Sequence, residues 1–200
     1  LMNTEGWRAV NSGVDSVIQG LSWPDCSGQL LYVGFENNLN ERNKERLRSL
    51  VVQCHVGGRL FSKGTAPDQA FLTNMAQSLA RVPLLITMDG EWGLAMRLKD
   101  TPSYPRNMTL GAVADDSLIY AYGREMGRAC RRMGIQVNFS PVLDVNSNPQ
   151  KPVIDNRSFR YNPDNVSPKD SLYPHAPSAE GLRDGGQPPP RPGHTQHTTR

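Results

Sequence analysis

The chain has 200 residues, of which 37% are hydrophobic and 20% are charged, a composition that suits one globular domain. Its formal charge of +3 and its basic clusters, Arg42 to Arg48 and Arg128 to Arg132, are better explained by solvated helix faces than by a nucleic-acid-binding stripe. No nucleic-acid partner is therefore predicted. The chain contains no run of about 18 apolar residues, so no transmembrane segment is predicted either.

The three cysteines, Cys26, Cys54 and Cys130, are far apart and odd in number. They form neither a CxxC metal pair nor the dense, even pattern of a disulfide scaffold, so they are predicted to be buried apolar residues. No metal site and no cofactor are predicted. The chain begins with Leu1 rather than Met, so an export signal could precede it, and the compartment stays open between exported and cytoplasmic.

Strands and helices are predicted to alternate along the chain. Apolar runs predict four strands, at Gln29–Phe35, Arg59–Ser62, Val82–Met88 and Ile135–Val145. Apolar spacing and capping residues predict the helices that follow the first three strands, at Glu41–His55, from Pro67 to about Arg81, and from Asp115 or Asp116 to Gly134. A polar, proline-containing loop at Gly90–Gly111 separates the third strand from its helix. This order predicts an α/β fold with a parallel sheet.

The composition changes near residue 167. From Pro168 to Arg200 the chain holds seven of its 16 prolines and three of its four histidines, with few apolar residues. Residues 1–166 are therefore assigned to the folded part, and residues 167–200 are predicted to form a Pro/His-rich, largely disordered tail. Pro188 to Pro190 stand where a fifth strand would be needed, yet cannot donate ladder hydrogen bonds.

Two groups of polar residues follow predicted strands, the place where parallel α/β folds bind ligands. Asp89, Glu91, Trp92 and Arg97 share the loop after the third strand. Carboxylates and arginine can hydrogen-bond sugar hydroxyls, and an aromatic ring can cover the apolar face of a pyranose. The structural alternative is that Asp89 and Glu91 cap a turn and that Arg97 neutralises them.

The second group, Asp155 to Phe159, follows the fourth predicted strand. Its Arg157 is either an anion clamp or a structural salt-bridge partner, and composition alone leaves both open.

The order and spacing of four motifs resemble the N-terminal barrel of family 3 glycoside hydrolases, most closely the β-N-acetylhexosaminidase branch. The resemblance covers roughly Gln29 to Val166. The motifs are Asp89-x-Glu91-x-Gly93-x-x-x-Arg97, Tyr104-Pro105-x-x-Met108, Gly134-Ile135-x-x-Asn138-Phe139-x-Pro141-Val142-x-Asp144-Val145-x-x-Asn148-Pro149 and Arg157-Ser158-Phe159.

This resemblance implies a partial TIM-type (β/α)8 barrel with about the first four β/α units. It also implies that Asp89, Arg97 and Arg157 bind hydroxyls of the nonreducing-end sugar. Glu91 and Asp144 match positions that support the loop and the strand ends, and Trp92 is assigned a supporting role beside them. An incomplete barrel would leave two open sheet edges, so the isolated chain is expected to aggregate.

The chain departs from the family pattern in several places. Trp92 and Arg160 stand where Gly is common, and neither the Lys-His-Phe-Pro-Gly-His-Gly signature nor the Asp-Ser-His loop with the acid/base histidine is intact. Arg191 to His197 carries only a Pro-Gly-His echo, which suggests a shifted reading frame in the tail. The family's aspartate nucleophile would lie beyond residue 200, so no catalytic residue is assigned.

The expected function is hydrolysis of terminal nonreducing β-linked N-acetylhexosamine or glucose residues, retaining in the parent family, with this chain catalytically incomplete. Two alternatives are a noncatalytic carbohydrate-binding or interaction module, and a doubly wound α/β binding module. The second is disfavoured because Gly34-Phe35-Glu36-Asn37-Asn38 is not a glycine-rich phosphate turn.

Overall fold

The computed structural model describes residues 4–140 together with Arg157, Ala176, Arg183 and Asp184. For residues 4–11, 183 and 184 it describes the backbone alone. The helices are α1 (Thr4–Gln19), α2 (Trp23–Gln29), α3 (Glu41–Val52), α4 (Ala66–Leu79), α5 (Asn107–Gly111) and α6 (Asp116–Arg132), and the strands are β1 (Tyr32–Asn37), β2 (Gly58–Gly64), β3 (Leu85–Met88), β4 (Val137–Asn138) and β5 (Arg183–Asp184).

The described strands form a single parallel sheet in the order β1-β2-β3-β4-β5. Spatial order equals chain order, because α3, α4 and α6 each return the chain to the same end of the sheet before the next strand begins. The predicted parallel α/β fold is confirmed.

The predicted elements between β1 and β4 are present with shifted bounds. The third strand begins at Leu85 instead of Val82, and the first helix ends at Val52 instead of His55. The fourth strand is Val137–Asn138, and the part predicted beyond residue 140 lies outside the described residues. Two N-terminal helices, α1 and α2, were not predicted, because no strand-helix alternation marks that part of the sequence.

The tail contributes to the sheet. Arg183 and Asp184 pair in parallel with Val137 and Asn138, so a fifth strand forms upstream of the three consecutive prolines. The sequence placed the fifth-strand position at Pro188 to Pro190, whereas the strand that forms lies upstream of these prolines, so they do not occupy the pairing positions. The predicted disorder of the other tail residues falls outside the described residues, apart from Ala176, which is buried.

The sheet presents one face to α3 and α4. Phe35, Phe61 and Met88 occupy matching positions on β1, β2 and β3, and because strand side chains alternate they share that face. They pack with Leu47 of α3 and Leu72 of α4 in one core cluster. The opposite face carries Gly34, which is exposed.

A buried arginine lies on the helix-covered face. Arg59 of β2 is 2% exposed, and its guanidinium lies 4.9 Å from the ring centre of Phe35 and 4.4 Å from that of Phe61. Its Nη2 donates to the side-chain oxygen of Asn37 at 3.0 Å. Burial lowers the pKa of Arg59 to about 10. Ring contact and one hydrogen bond therefore compensate part of the cost of burying this charge.

Capping residues set the starts of the main helices. Thr65 accepts a hydrogen bond from the backbone of Asp68 at the start of α4, and Asp115 accepts one from Ser117 at the start of α6. The α2 helix begins with a capping box between Ser22 and Asp25.

The prediction that all three cysteines are buried is wrong for two of them. All three are free, but only Cys130 is buried; Cys26 is partly buried and Cys54 is exposed. Cys54 lies just after α3, in the turn that leads to β2, with its side chain exposed.

Candidate functional site

The loop that follows β3 is fixed at its start by the neighbouring strand. The backbone N–H of Gly90 donates to Oδ1 of Asn138 at 2.9 Å, and Nδ2 of Asn138 donates back to the carbonyl of Gly90 at 3.3 Å. Asn138 belongs to β4 and is 2% exposed. This two-way bond ties the loop to the carboxyl ends of two parallel strands.

Asp89 and Arg97 form an ion pair across this loop. Nη2 of Arg97 lies 2.5 Å from Oδ2 of Asp89, and Nε donates to the backbone carbonyl of Asp89 at 2.9 Å. The two side chains are 23% and 25% exposed, respectively, so solvent reaches both. Arg97 therefore neutralises Asp89, as the structural alternative expected. The pair remains partly exposed, although Oδ1 of Asp89 is buried without a hydrogen-bond partner among the described residues.

Glu91 takes a different partner from the one expected. Nη2 of Arg157 lies 2.6 Å from Oε1 of Glu91, and Nε of Arg157 donates to Oε1 at 3.1 Å and to Oε2 at 3.0 Å. The Glu91 side chain is 0% exposed, whereas that of Arg157 is 32% exposed. Glu91 is thus a buried anchor, and Arg157 is a salt-bridge partner that remains accessible.

Trp92 packs against the segment that carries the second motif. The guanidinium of Arg106 lies 4.2 Å from the centre of the indole ring. The N–H of Tyr104 donates to the carbonyl of Trp92 at 3.3 Å, and the Tyr104 ring meets that of Tyr122 edge to face at 4.9 Å. Burial, and after it the charge of Glu125, raises the pKa of Tyr104. These contacts hold the motif around Tyr104 onto the loop.

Gly93 allows this close approach. Its φ is +103°, a backbone conformation that favours glycine, and a Cβ placed there would lie 2.8 Å from the Tyr104 ring. The glycine in the first motif is therefore required by both backbone and packing.

The structure brings most of the predicted site residues into one region. Asp89, Glu91, Trp92 and Arg97 share the loop, and Arg157 joins it through Glu91. Asp144 lies outside the described residues.

Sequence analysis missed Asn107, whose Nδ2 donates to the carbonyl of Arg157 at 2.7 Å. Asn107 stands at an unspecified position of the second motif, so only the fold reveals its contact.

Within the described part of the chain, no group of three or more His, Cys, Asp or Glu residues is arranged to hold a metal ion. The helices found there are too short or too polar to cross a membrane.

The sequence model of the glycosyl hydrolase family 3 N-terminal domain matches residues 9–170. The chain belongs to this family. A β-N-acetylglucosaminidase/β-glucosidase of Cellulomonas fimi is 32% identical over 138 residues, which are 69% of this chain and 24% of the relative. The β-hexosaminidase LpqI of Mycobacterium tuberculosis is 32% identical over 170 residues, which are 83% of this chain and 41% of the relative.

A solved family 3 structure supports the same assignment. The β-N-acetylglucosaminidase of a Paenibacillus species superposes with a TM-score of 0.71 at 31% identity, over 82% of this chain and 32% of that protein. The fold is thus that of a partial (β/α)8 barrel, and the chain spans well under half the length of these relatives.

Proposed function

We propose that this chain supplies the hydroxyl-binding loops of a family 3 glycosidase that acts on terminal nonreducing β-linked N-acetylhexosamine or glucose residues. The observation that carries the proposal is the ion pair of Asp89 and Arg97, which is about one-quarter exposed at the carboxyl end of β3. Family 3 relatives named as β-hexosaminidases and as a β-glucosidase support the substrate class.

The charges suit a sugar ligand. A carboxylate such as that of Asp89 accepts hydrogen bonds from vicinal hydroxyls, and the guanidinium groups of Arg97 and Arg157 donate in a fixed, planar arrangement. Because each arginine is already held by a carboxylate, little side-chain freedom is lost when a sugar binds. Trp92 supplies an aromatic ring on the same loop, with the guanidinium of Arg106 stacked on it.

Bond cleavage needs more than these residues. A retaining glycosidase uses a carboxylate nucleophile and an acid/base on either side of the glycosidic bond. The groups proposed here bind and orient the sugar, and we assign neither catalytic role to any of them. We therefore propose that the 200-residue chain binds a sugar but does not hydrolyse a glycoside at an enzymatic rate.

The sugar-binding proposal is tested by titrating the ¹⁵N-labelled chain with N-acetylglucosamine and following its amide chemical shifts. We expect shifts in the loop of residues 89–97 of the unaltered chain, and their loss in Asp89→Ala. The matched control is Asp15→Ala, which removes an exposed aspartate from α1, outside the site.

If Asp89→Ala shows the same chemical-shift changes with N-acetylglucosamine as the unaltered chain, the assigned site is wrong. Turnover of p-nitrophenyl N-acetyl-β-glucosaminide by the 200-residue chain would contradict its proposed inactivity. Sugar binding without turnover by the product of the whole coding sequence would instead favour a noncatalytic sugar-binding module.

A further inference from the structure

The side chain of Arg157 forms an ion pair with Glu91, which lies far away in the sequence. Glu91 contacts both Nε and Nη2 of its guanidinium from a fully buried position. An arginine side chain is long, however, and can reach one carboxylate from several backbone positions. The ion pair therefore orients the guanidinium against Glu91 but does not by itself fix the backbone position of Arg157.

Asn107 supplies the second point of attachment. It is the first residue of α5, it is 1% exposed, and its Nδ2 donates to the backbone carbonyl of Arg157 at 2.7 Å. One contact thus holds the backbone of Arg157 and the other holds its guanidinium. Two contacts at opposite ends of a flexible side chain restrict its rotamers far more than either does alone.

Both attachment points come from the connection between β3 and α6. Glu91 lies in the loop that also carries Asp89 and Arg97, and Asn107 follows Arg106, which stacks on Trp92. The position of Arg157 is thereby linked to the loop that holds the other proposed sugar-binding residues.

We propose that Asn107 is a positioning residue for sugar binding, which acts by fixing the backbone of Arg157. The inference rests on the proposed function, because it concerns an arginine assigned to the sugar. It requires that loss of the Asn107 amide donor lowers sugar affinity without any direct contact between Asn107 and the sugar.

The test compares Asn107→Leu with Gln69→Met. Gln69 is the matched control, since it is a fully buried amide whose Nε2 donates to a backbone carbonyl, that of Met133 at the end of α6. Both substitutions remove one buried amide of similar size, and only one of the two amides contacts Arg157. Asn107→Ser is a milder second variant if Asn107→Leu does not fold, because a serine hydroxyl is too short to make the same bond.

The first measurement is the ¹⁵N–¹H signal of Arg157 Nε in arginine-labelled chain, assigned by its absence in Arg157→Lys. All variants are measured at a concentration at which light scattering shows them to be monomeric. We expect a sharp, slowly exchanging signal in the unaltered chain and in Gln69→Met, and a broadened or fast-exchanging one in the Asn107 variants. The second measurement is the affinity for N-acetylglucosamine. We expect it to fall about tenfold in the Asn107 variants, which corresponds to the net contribution of about one hydrogen bond. We expect it to stay unchanged in Gln69→Met.

An unchanged Arg157 signal in a folded Asn107 variant would overturn the inference. So would an equal loss of affinity in Gln69→Met, which would show general destabilisation. If the unaltered chain does not bind N-acetylglucosamine, the proposed function fails. The Nε signal then still decides whether Asn107 fixes Arg157.

Discussion

At the scale of single residues, the two ion pairs of the site differ in how deeply they are buried. Glu91 is fully buried and Arg157 is one-third exposed, whereas Asp89 and Arg97 are each about one-quarter exposed. Removing one partner of a buried pair leaves an uncompensated charge, which is more costly than losing a pair that water can screen. Glu91 is thus placed to stabilise the loop, and Asp89, in the more exposed pair, is the carboxylate that we propose to bind the sugar.

Gly93 offers a residue-scale test of the loop conformation. Gly93→Ala is expected to lower the free energy of unfolding by roughly 1 to 3 kcal/mol, because it forces a side chain into a left-handed backbone region and against Tyr104. Chemical denaturation measures the change. Gly34→Ala is the matched control, since a Cβ there meets nothing within 4 Å. Equal losses in both variants would contradict the assigned role of Gly93.

At the scale of secondary structure, α6 depends on its first residues. This helix carries Met126 and Cys130 into the core, and it begins at the aspartate cap, Asp115, whose Oδ1 accepts from the backbone N–H of Ser117 at 2.9 Å. Hydrogen bonds from the Ser117 side chain and backbone lower the pKa of Asp115. A carboxyl group with a lowered pKa stabilises the fold while it is ionised.

This stabilisation has a defined pH dependence. It is fully present above the ordinary carboxyl pKa of 3.8 and is lost as pH falls through the lower value of the folded state. Asp115→Asn keeps a capping oxygen but cannot titrate, so the difference in melting temperature between it and the unaltered chain should shrink below that pH. Asp115→Ala should melt at a lower temperature at neutral pH. If the difference in melting temperature between Asp115→Asn and the unaltered chain does not change with pH, the charge of Asp115 does not stabilise the fold.

At the scale of the whole molecule, the described sheet ends at β1 and β5. The approach to β1 exposes several apolar side chains, with Leu30 at 81%, Leu31 at 55% and Tyr32 at 50%. An uncovered parallel edge with apolar neighbours is a template for pairing with another chain.

The chain is therefore expected to self-associate in solution, and Leu31→Lys is expected to reduce the mass measured by light scattering after size-exclusion chromatography. A lysine beside an edge strand opposes pairing through charge repulsion. Leu118→Lys is the matched control, since Leu118 is 58% exposed on α6, away from this edge. An equal reduction by both variants would indicate a general gain in solubility, and a monomeric unaltered chain would contradict the expectation.

The sequence by itself determined the alternation of strands and helices and the loop that carries Asp89 and Arg97. Apolar periodicity and capping residues are local properties, and motif spacing can be compared directly with that of a family. Local signals also have limits, since a two-residue strand such as Arg183–Asp184 has no periodicity of its own and forms only because β4 offers an edge.

Only the tertiary structure decided which charges pair. Arg97 and Arg157 were both candidate partners for the carboxylates, and the fold gives Asp89 to the first and Glu91 to the second. It also brings Asn107 to Arg157 across 50 residues of sequence. Such contacts depend on how the connections between strands pack together, which no short window of sequence contains.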